Sequence, residues 1–469
     1  MAAHEYDLVI IGAGSGGLTA AGFAAQLGAK VALVEKHKIG GDCTWTGCVP
    51  SKALLKAAKV AHEVRTASHY GIIANPPAAD MARVRDYVQA AIQQVYRFET
   101  PEELQREGID VIMGAARFLD SKTITTGDGA IRSKRFLLTT GARPRIPSLA
   151  GLSEVPYITY EQIFDNDRLP RDMIVIGGGP IGMEMAQAYQ RLGAQVTVVA
   201  ESLLPKEEPE VREVMQRVLE SEGMRFLWGR AKSARRSNDA IVVSSDRGEA
   251  RGDLLLVASG RAPTVAGLDL EKAGVNYSDR GVPVDEQLRT NIKNIYAAGD
   301  VVGGYQFTHF AGWQAFQAVR NALLPGSSSG LTDLVPWVTF TDPEVAHIGL
   351  TEEQARAKFG ANVQVRRWEM DHADRAVCEN DMNGFIKVIV NNSGAILGAT
   401  IVNGRAGETI TEFIVAIKQK MKVADLAGAI HAYPTYSTPV QQLAAEMAIE
   451  NTLSGTTGKL IRGVSKLIR

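Results

Sequence analysis

Apolar positions along this chain fall into two kinds of pattern, with a change of period between them. Tyr6–Ile11 is apolar at nearly every position, which predicts a parallel strand buried on both faces. An alanine-rich helix follows to about Leu27, and a second apolar run, Val31–Val34, ends in Glu35. The same order recurs later: Met173–Ile176, a helix to Leu192, then Gln195–Val199. Lys52–Arg65 and Met81–Glu107 carry apolar residues at helical spacing, with Asn75-Pro76-Pro77 between them, and residues 109–140 read as short strands. Pro325-Gly326-Ser327-Ser328-Ser329-Gly330 reads as a linker. Beyond it, Val335–Phe340, Val363–Trp368, Gly384–Val390 and Ala395–Val402 predict strands, and Glu408–Gln419 and Thr438–Leu453 predict helices.

Glycines mark where both repeats open. Gly12-Ala13-Gly14-Ser15-Gly16-Gly17 and Gly177-Gly178-Gly179-Pro180-Ile181-Gly182 each sit between a strand and a helix. In this setting glycine permits a tight turn and close approach of a pyrophosphate to the helix start. Glu35 follows at the end of the next strand, where a carboxylate can accept hydrogen bonds from ribose hydroxyls. In the second copy that position is Ala200, and Glu201 comes next. Two dinucleotide sites are therefore expected, the second with an imperfect acid. A carboxylate at 201 would repel a 2′-phosphate, and no arginine stands beside it in sequence to receive one.

Between these copies lies Gly40-Gly41-Asp42-Cys43-Thr44-Trp45-Thr46-Gly47-Cys48-Val49-Pro50-Ser51-Lys52. The chain has 3 cysteines, the other being Cys378. Zinc would need further His or Cys ligands nearby, and a structural disulfide suits a cysteine-rich secreted chain better. A pair that cycles between dithiol and disulfide fits the spacing and the neighbouring dinucleotide unit. Two inert cysteines are the bland alternative.

Bulk composition narrows the class further. With 469 residues the chain can hold several cores, and a net charge of -1 gives no electrostatic case for nucleic acid. Met1–Tyr6 lacks the basic start of an export signal, and no apolar stretch of about 18 residues suggests a membrane span. With so few cysteines, this points to the cytoplasm.

The cysteine stretch resembles the redox-active disulfide motif of the class I pyridine nucleotide-disulfide oxidoreductases, a family including lipoamide dehydrogenase, glutathione reductase and mercuric reductase. The resemblance extends over essentially the whole chain. It implies an α/β fold with two Rossmann-like dinucleotide-binding domains, the second inserted in the first, and a C-terminal α+β dimerisation domain. The implied layout is an FAD domain over 1–147 and 271–326, an NAD(P)H domain over 148–270, and a dimerisation domain over 331–469. Thr139-Thr140-Gly141 and Ser259-Gly260-Arg261 resemble the exits of the two nucleotide domains, and Ala298-Gly299-Asp300 resembles a second flavin motif. The resemblance thus assigns cofactor contacts to Gly12, Gly14, Gly17, Glu35, Gly41, Thr140, Gly141, Asp300, Gly177, Gly179, Gly182 and Gly260. The cofactors implied are FAD with NADH or NADPH.

By motif position, Cys48 is the thiolate beside the flavin, Cys43 is the outer thiol that meets substrate, and Lys52 pairs with Glu184. On charge alone Glu184 would be an ordinary solvated helix residue. Relatives that reduce organic disulfides carry a histidine before a proline and a glutamate five residues later, a proton relay to the outer thiol. Here Tyr433 and Thr438 stand at those positions, and an unperturbed tyrosine titrates near pH 10. His431 is expected to be structural. The cysteine stretch and Phe307-Thr308-His309-Phe310 look closest to the mercuric reductase branch, whose soft-metal substrate suits soft thiolates. That implies a homodimer reducing a small-molecule or metal-ion acceptor, with Tyr433 lining the site. A lipoamide dehydrogenase-like enzyme or a flavoprotein redox sensor are the alternatives. The cysteine pair that ends true mercuric reductases has no counterpart after Cys378.

No metal site is expected among His309, His347 and Cys378, which read as structural or incidental residues. The last residues are separately informative. Lys459, Arg462, Lys466 and Arg469 share one helical face, and Leu460, Ile461, Val464, Leu467 and Ile468 fall largely on the other. Such a helix can touch a membrane or a partner, but packing on its own domain is the expected arrangement.

Overall fold

In the computed structural model, which describes residues 5–127 and 129–468, the first apolar run becomes β1 (Leu8–Ile11) at the centre of a parallel sheet. Helix α1 (Ser15–Gln26) leads to β2 (Val31–Glu35), and β3 (Ile109–Met113) and β4 (Phe136–Leu138) follow later in the chain. Val9 pairs with Ala32 on one side and Phe136 on the other. Both faces of β1 are covered. Leu8 and Ile10 pack with Ala20, Ala21 and Ala24 of α1, and Val9 and Ile11 pack with Phe118 and Phe136. That two-sided burial is why the strand is apolar at consecutive positions. The run is shorter than expected, because Glu5–Tyr6 pairs with Ala130–Ser133 in a separate small sheet.

The cysteine stretch lies after β2. It forms a short helix, α2 (Gly41–Trp45), and then α3 (Cys48–Thr66), which starts four residues before the expected Lys52. The single helix expected over 81–107 is two, Met81–Tyr96 and Pro101–Arg106. The first ends at the Arg97 cap, and Thr100 caps the second, its hydroxyl accepting from the Glu103 N–H, with Pro101 in the first turn.

The second copy has β5 (Asp172–Ile176), α4 (Pro180–Leu192), β6 (Gln195–Ala200), β7 (Arg225–Trp228) and β8 (Leu254–Val257), in the order β7-β6-β5-β8. An antiparallel sheet of Ala231–Ser237, Ala240–Ser245 and Gly248–Gly252 covers one face through Ala234, Ile241 and Val243. The two exits expected at 142 and 261 are partners: Ala142–Pro144 and Arg261–Pro263 form a two-stranded ribbon. The chain then returns as β9 (Ile295–Ala297), which completes the first sheet beside β4. Helix α5 (Thr308–Leu323) packs across α1, with Phe23 and Phe316 stacked at 4.3 Å.

A second unit comprises Leu203–Glu222 and the chain from Asp333 onward. Its sheet contains β10 (Trp337–Thr339), β11 (Glu344–Gly349), β12 (Val363–Glu369), β13 (Phe385–Asn391) and β14 (Ile396–Asn403), in the order β10-β11-β14-β13-β12. The strand β11 was not anticipated, and α6 (Ala406–Lys418) and α7 (Thr438–Leu453) lie near their expected limits. Residues 203–222 are tied to this unit in part by charge. Lys387 on β13 is buried, and its ammonium meets Glu208 at 3.0 Å, Glu352 at 2.8 Å and Glu210. Three carboxylates that could otherwise hold a metal ion thus converge on a lysine. Burial opposes that charge, and the carboxylates more than offset it, so the lysine stays a cation. His347 is buried and structural, held by Thr400 and the Gly349 carbonyl. Helix α8 (Gly455–Ile468) ends the described chain.

Beside this cluster, burial pushes the Glu207 carboxyl up to about 7, although the Trp337 indole N–H donates to it at 2.6 Å. A buried acid with a raised folded pKa favours folding while it is protonated. Stability should therefore fall as pH rises from 4.5 toward about 7, and then level off. Glu207→Gln keeps an acceptor for Trp337 and removes the titration. The variant should lie within about 1 kcal/mol of the parent at pH 5 and exceed it by about 3 kcal/mol at pH 8 in denaturant unfolding of this unit. Equal pH slopes for both proteins would contradict the assignment.

Candidate redox site

The two glycine-rich turns are built alike. A Cβ on Gly12 would lie 2.5 Å from the Thr139 carbonyl oxygen, and one on Gly177 would lie 2.3 Å from that of Ala258. Both glycines also have positive φ, so the backbone and the space together require them. Gly17 and Gly182 let each helix close on the turn, where a Cβ would strike the Gly12 or Gly177 oxygen. By contrast, the Cβ direction of Gly179 is open, and that of Gly14 meets only the Gly41 Cα at 3.9 Å. Each turn therefore presents an open middle glycine at a helix start, a shape suited to pyrophosphate. Glu35 accepts from Ala13 N–H at 2.8 Å and from His37 N–H at 2.7 Å. Each oxygen has a second lone pair available for a ribose hydroxyl.

At the end of β6 the second copy differs. Glu201 is exposed and lines a pocket of about 610 Å³ with Arg230, Arg247 and the parallel rings of Phe226 and Trp228. The two arginines, distant from Glu201 in sequence, escaped the reading of that position.

Cys43 sits in α2 and Cys48 is the first residue of α3, a helix of 19 residues whose N-terminus favours an anion. Both are free thiols in this structure, Cys43 half-buried and Cys48 exposed. Charge separates them more sharply than exposure. Cys48 is lowered to about 6, first because Cys43 hydrogen-bonds to it, then through Thr308 and Lys52, against opposition from burial and Glu184. The Cys43 thiol is pushed up by donating to Cys48 and by burial. Thr308 Oγ1 lies 3.2 Å from Cys48 Sγ. It was visible in sequence only as part of a motif, with no sign of its role.

Lys52 stands one helical turn beyond Cys48 and pairs with Glu184 of α4 at 2.9 Å. Glu184 is buried, not solvated. A further set of groups steadies the cysteine loop. The Arg261 guanidinium donates to Asp42 at 2.7 Å and to Asp300 at 2.7 Å, and the Tyr160 hydroxyl donates to Asp42 at 3.2 Å. Asp300 is thus engaged by Arg261; burial raises its carboxyl and Arg261 opposes the rise. Thr140 donates to the Thr264 carbonyl at 2.6 Å, and Gly141 and Gly260 take positive φ at the two ends of the paired ribbon.

The residues expected from the C-terminal region lie in the other unit. Tyr433 is exposed, and its hydroxyl donates to Asp374, which raises its pKa and leaves it protonated near neutral pH. His431 is not idle: Nε2 meets Glu412 at 2.8 Å and Nδ1 meets the Ala429 carbonyl. Burial disfavours its charged form, but Glu412 outweighs burial and the net shift is upward. Cys378 is exposed at the end of a short helix, so a buried role is excluded.

Residues 6–315 match the family described as pyridine nucleotide-disulphide oxidoreductase, and 335–444 match its dimerisation domain. The chain is 34% identical over 442 residues to mercuric reductase of Staphylococcus aureus, covering 92% of this chain and 80% of that one. It is also 34% identical over 463 residues to dihydrolipoyl dehydrogenase of Haloferax volcanii, covering 94% and 96%. Among solved structures, the HOCl-induced flavoprotein disulfide reductase RclA from Escherichia coli aligns with a TM-score of 0.85 at 28% identity, covering 94% and 99%. LpdA from Mycobacterium tuberculosis aligns with a TM-score of 0.86 at 28% identity, with the same coverage.

The thiolate assignment is testable on the reduced protein. The rate of Cys48 alkylation by iodoacetamide should rise with a midpoint near pH 6, the value set by its surroundings being about 6. Cys43→Ala should move the midpoint up by about one unit or more, and Lys52→Met by less. A parent midpoint near pH 8.5 would contradict the assignment.

Proposed function

The chain belongs to the pyridine nucleotide-disulphide oxidoreductases, a family of enzymes that use FAD and NAD(P)H, and from that premise we propose that it reduces a thiophilic metal ion through Cys43 and Cys48. The single observation behind this reading is the split between a low-pKa Cys48 and a Tyr433 held protonated by Asp374 at the position of the usual relay. A soft metal needs thiolates as ligands and no protonated leaving thiol, so the missing relay costs such an acceptor nothing. Relatives at 32–34% identity are mercuric reductases, and one structure of the E. coli neighbour is a Cu(II) complex.

FAD fits the first glycine turn, the start of α1, Glu35 and Asp300, and when bound it supplies two-electron transfer between nicotinamide and the cysteine pair. The chain's own groups do the rest. Cys48 holds negative charge at the start of α3, steadied by Lys52 and Thr308. Glu184 holds Lys52 in place. Arg261 and Tyr160 fix Asp42, and so fix the backbone before Cys43. Cys43 loses its proton as it takes the metal. With Hg(II) the balance is NAD(P)H + Hg²⁺ → NAD(P)⁺ + Hg⁰ + H⁺. We assign the dinucleotide's adenosine end to the pocket past β6, where Glu201 would accept from a ribose hydroxyl and Arg230 and Arg247 would favour a 2′-phosphate.

One observation favours a second reading. The His431–Glu412 pair has the chemistry of the relay that Tyr433 lacks, and it would serve an organic disulfide.

Anaerobic assays separate the two. NAD(P)H loss should occur with Hg²⁺ and fall on the order of 100-fold in Cys43→Ser. Rapid turnover of lipoamide, abolished by His431→Ala, would replace the first reading with the second. Glu201→Ala should raise the preference for NADPH over NADH by roughly tenfold, the size of one partly screened charge contact. An unchanged ratio would place the 2′ position elsewhere.

A further inference from the structure

Helix α8 leaves its apolar side uncovered in the chain. Among the described residues its attachment is at the first turn: Gly458 is buried, its N–H donates to Ser454 O at 3.1 Å, and Arg462 Nη1 donates to the Leu453 carbonyl at 3.0 Å. Beyond that corner the expected packing on its own domain does not occur. Leu467 is 88% exposed, Ile468 81% and Leu460 69%, with Val464 and Ile461 exposed as well.

These five residues occupy a sector of about 120° on the helical wheel, and Lys459, Arg462 and Lys466 occupy one of about 60° opposite. Gly455–Ile468 contains no acidic residue. Glu450, in the last turn of α7, is already paired with Arg366. The helix therefore offers unneutralised positive charge beside an apolar face. A protein surface that covered this face would need a matching apolar patch. The segment matching the dimerisation domain ends at residue 444, before α8 begins.

We propose that α8 docks the enzyme on an anionic lipid surface, lying in the interface with Leu460, Val464 and Leu467 toward the acyl chains and its cations at the headgroups. Its length of 14 residues, about 21 Å, suits a helix lying along a bilayer and not one crossing it. Consistent with that, no described helix is long and apolar enough to cross a membrane. A single short helix gives reversible attachment, governed by salt and lipid charge. The inference is independent of the acceptor.

Flotation of the full-length FAD-loaded protein with vesicles tests it. Protein should float with phosphatidylcholine–phosphatidylglycerol vesicles, stay behind with phosphatidylcholine alone, and leave the anionic vesicles at high salt. Lys459→Gln with Lys466→Gln should lower the partition coefficient about fivefold per charge. Leu460→Ser, Leu467→Ser and Ile468→Ser together should abolish flotation while NAD(P)H oxidation and oligomeric mass stay unchanged. Absence of flotation with anionic vesicles would overturn the proposal, as would flotation unaffected by either set of substitutions. A triple variant that dissociates into monomers would also overturn it, showing that a second copy covers the face.

Discussion

The Arg261 guanidinium is the constraint on which the redox site rests. It joins three parts of the chain that are far apart in sequence: Asp42 before the first cysteine, its own position at the exit of the inserted domain, and Asp300 in the returning flavin motif. The group is largely removed from water, so breaking one side would leave a buried charge poorly compensated. Through Asp42 this arrangement holds the cysteine loop, and through the Ala142–Pro144 pairing it ties both domain exits together. The low pKa of Cys48 depends on that fixed geometry. Helix end, Lys52, Thr308 and Cys43 each act over a few ångströms, and none would act on a wandering loop.

Much of this was legible in the sequence because it is written in short-range code. The glycine turns, the strand preceding each and the cysteine spacing are local signals, and the structure places them as expected. What escaped is tertiary. Thr308 approaches Cys48 across 260 positions, and Asp42 meets Arg261 across 219. No periodicity announces such pairs. Helix α3 begins at Cys48 with Pro50 inside its first turn, where proline loses no intrahelical bond. The contact between Glu208 and Lys387, 179 positions onward, is equally silent in the sequence.

Two design choices stand in contrast within this chain. Near the cysteines, charge is arranged so that one sulfur holds an anion close to neutral pH. In the other unit, three carboxylates surround one buried lysine and nothing is left to react. Similar side chains thus give a reactive centre in one place and an inert clamp in the other. The difference lies in whether a charge is left partly uncompensated at an accessible atom.

The late arrival of β9 has a consequence for synthesis. Strands β5 to β8 are contiguous within residues 172–257, so the inserted unit has all its strands once Val257 has emerged. The first sheet is older in sequence but younger in completion, because its edge partner for β4 is Ile295–Ala297. Until then Phe136 and Leu138 present an open strand edge. On the ribosome the chain should therefore finish its second nucleotide fold before its first. During that interval the nascent chain exposes a template for wrong pairing, and this is where a chaperone would do most for its yield.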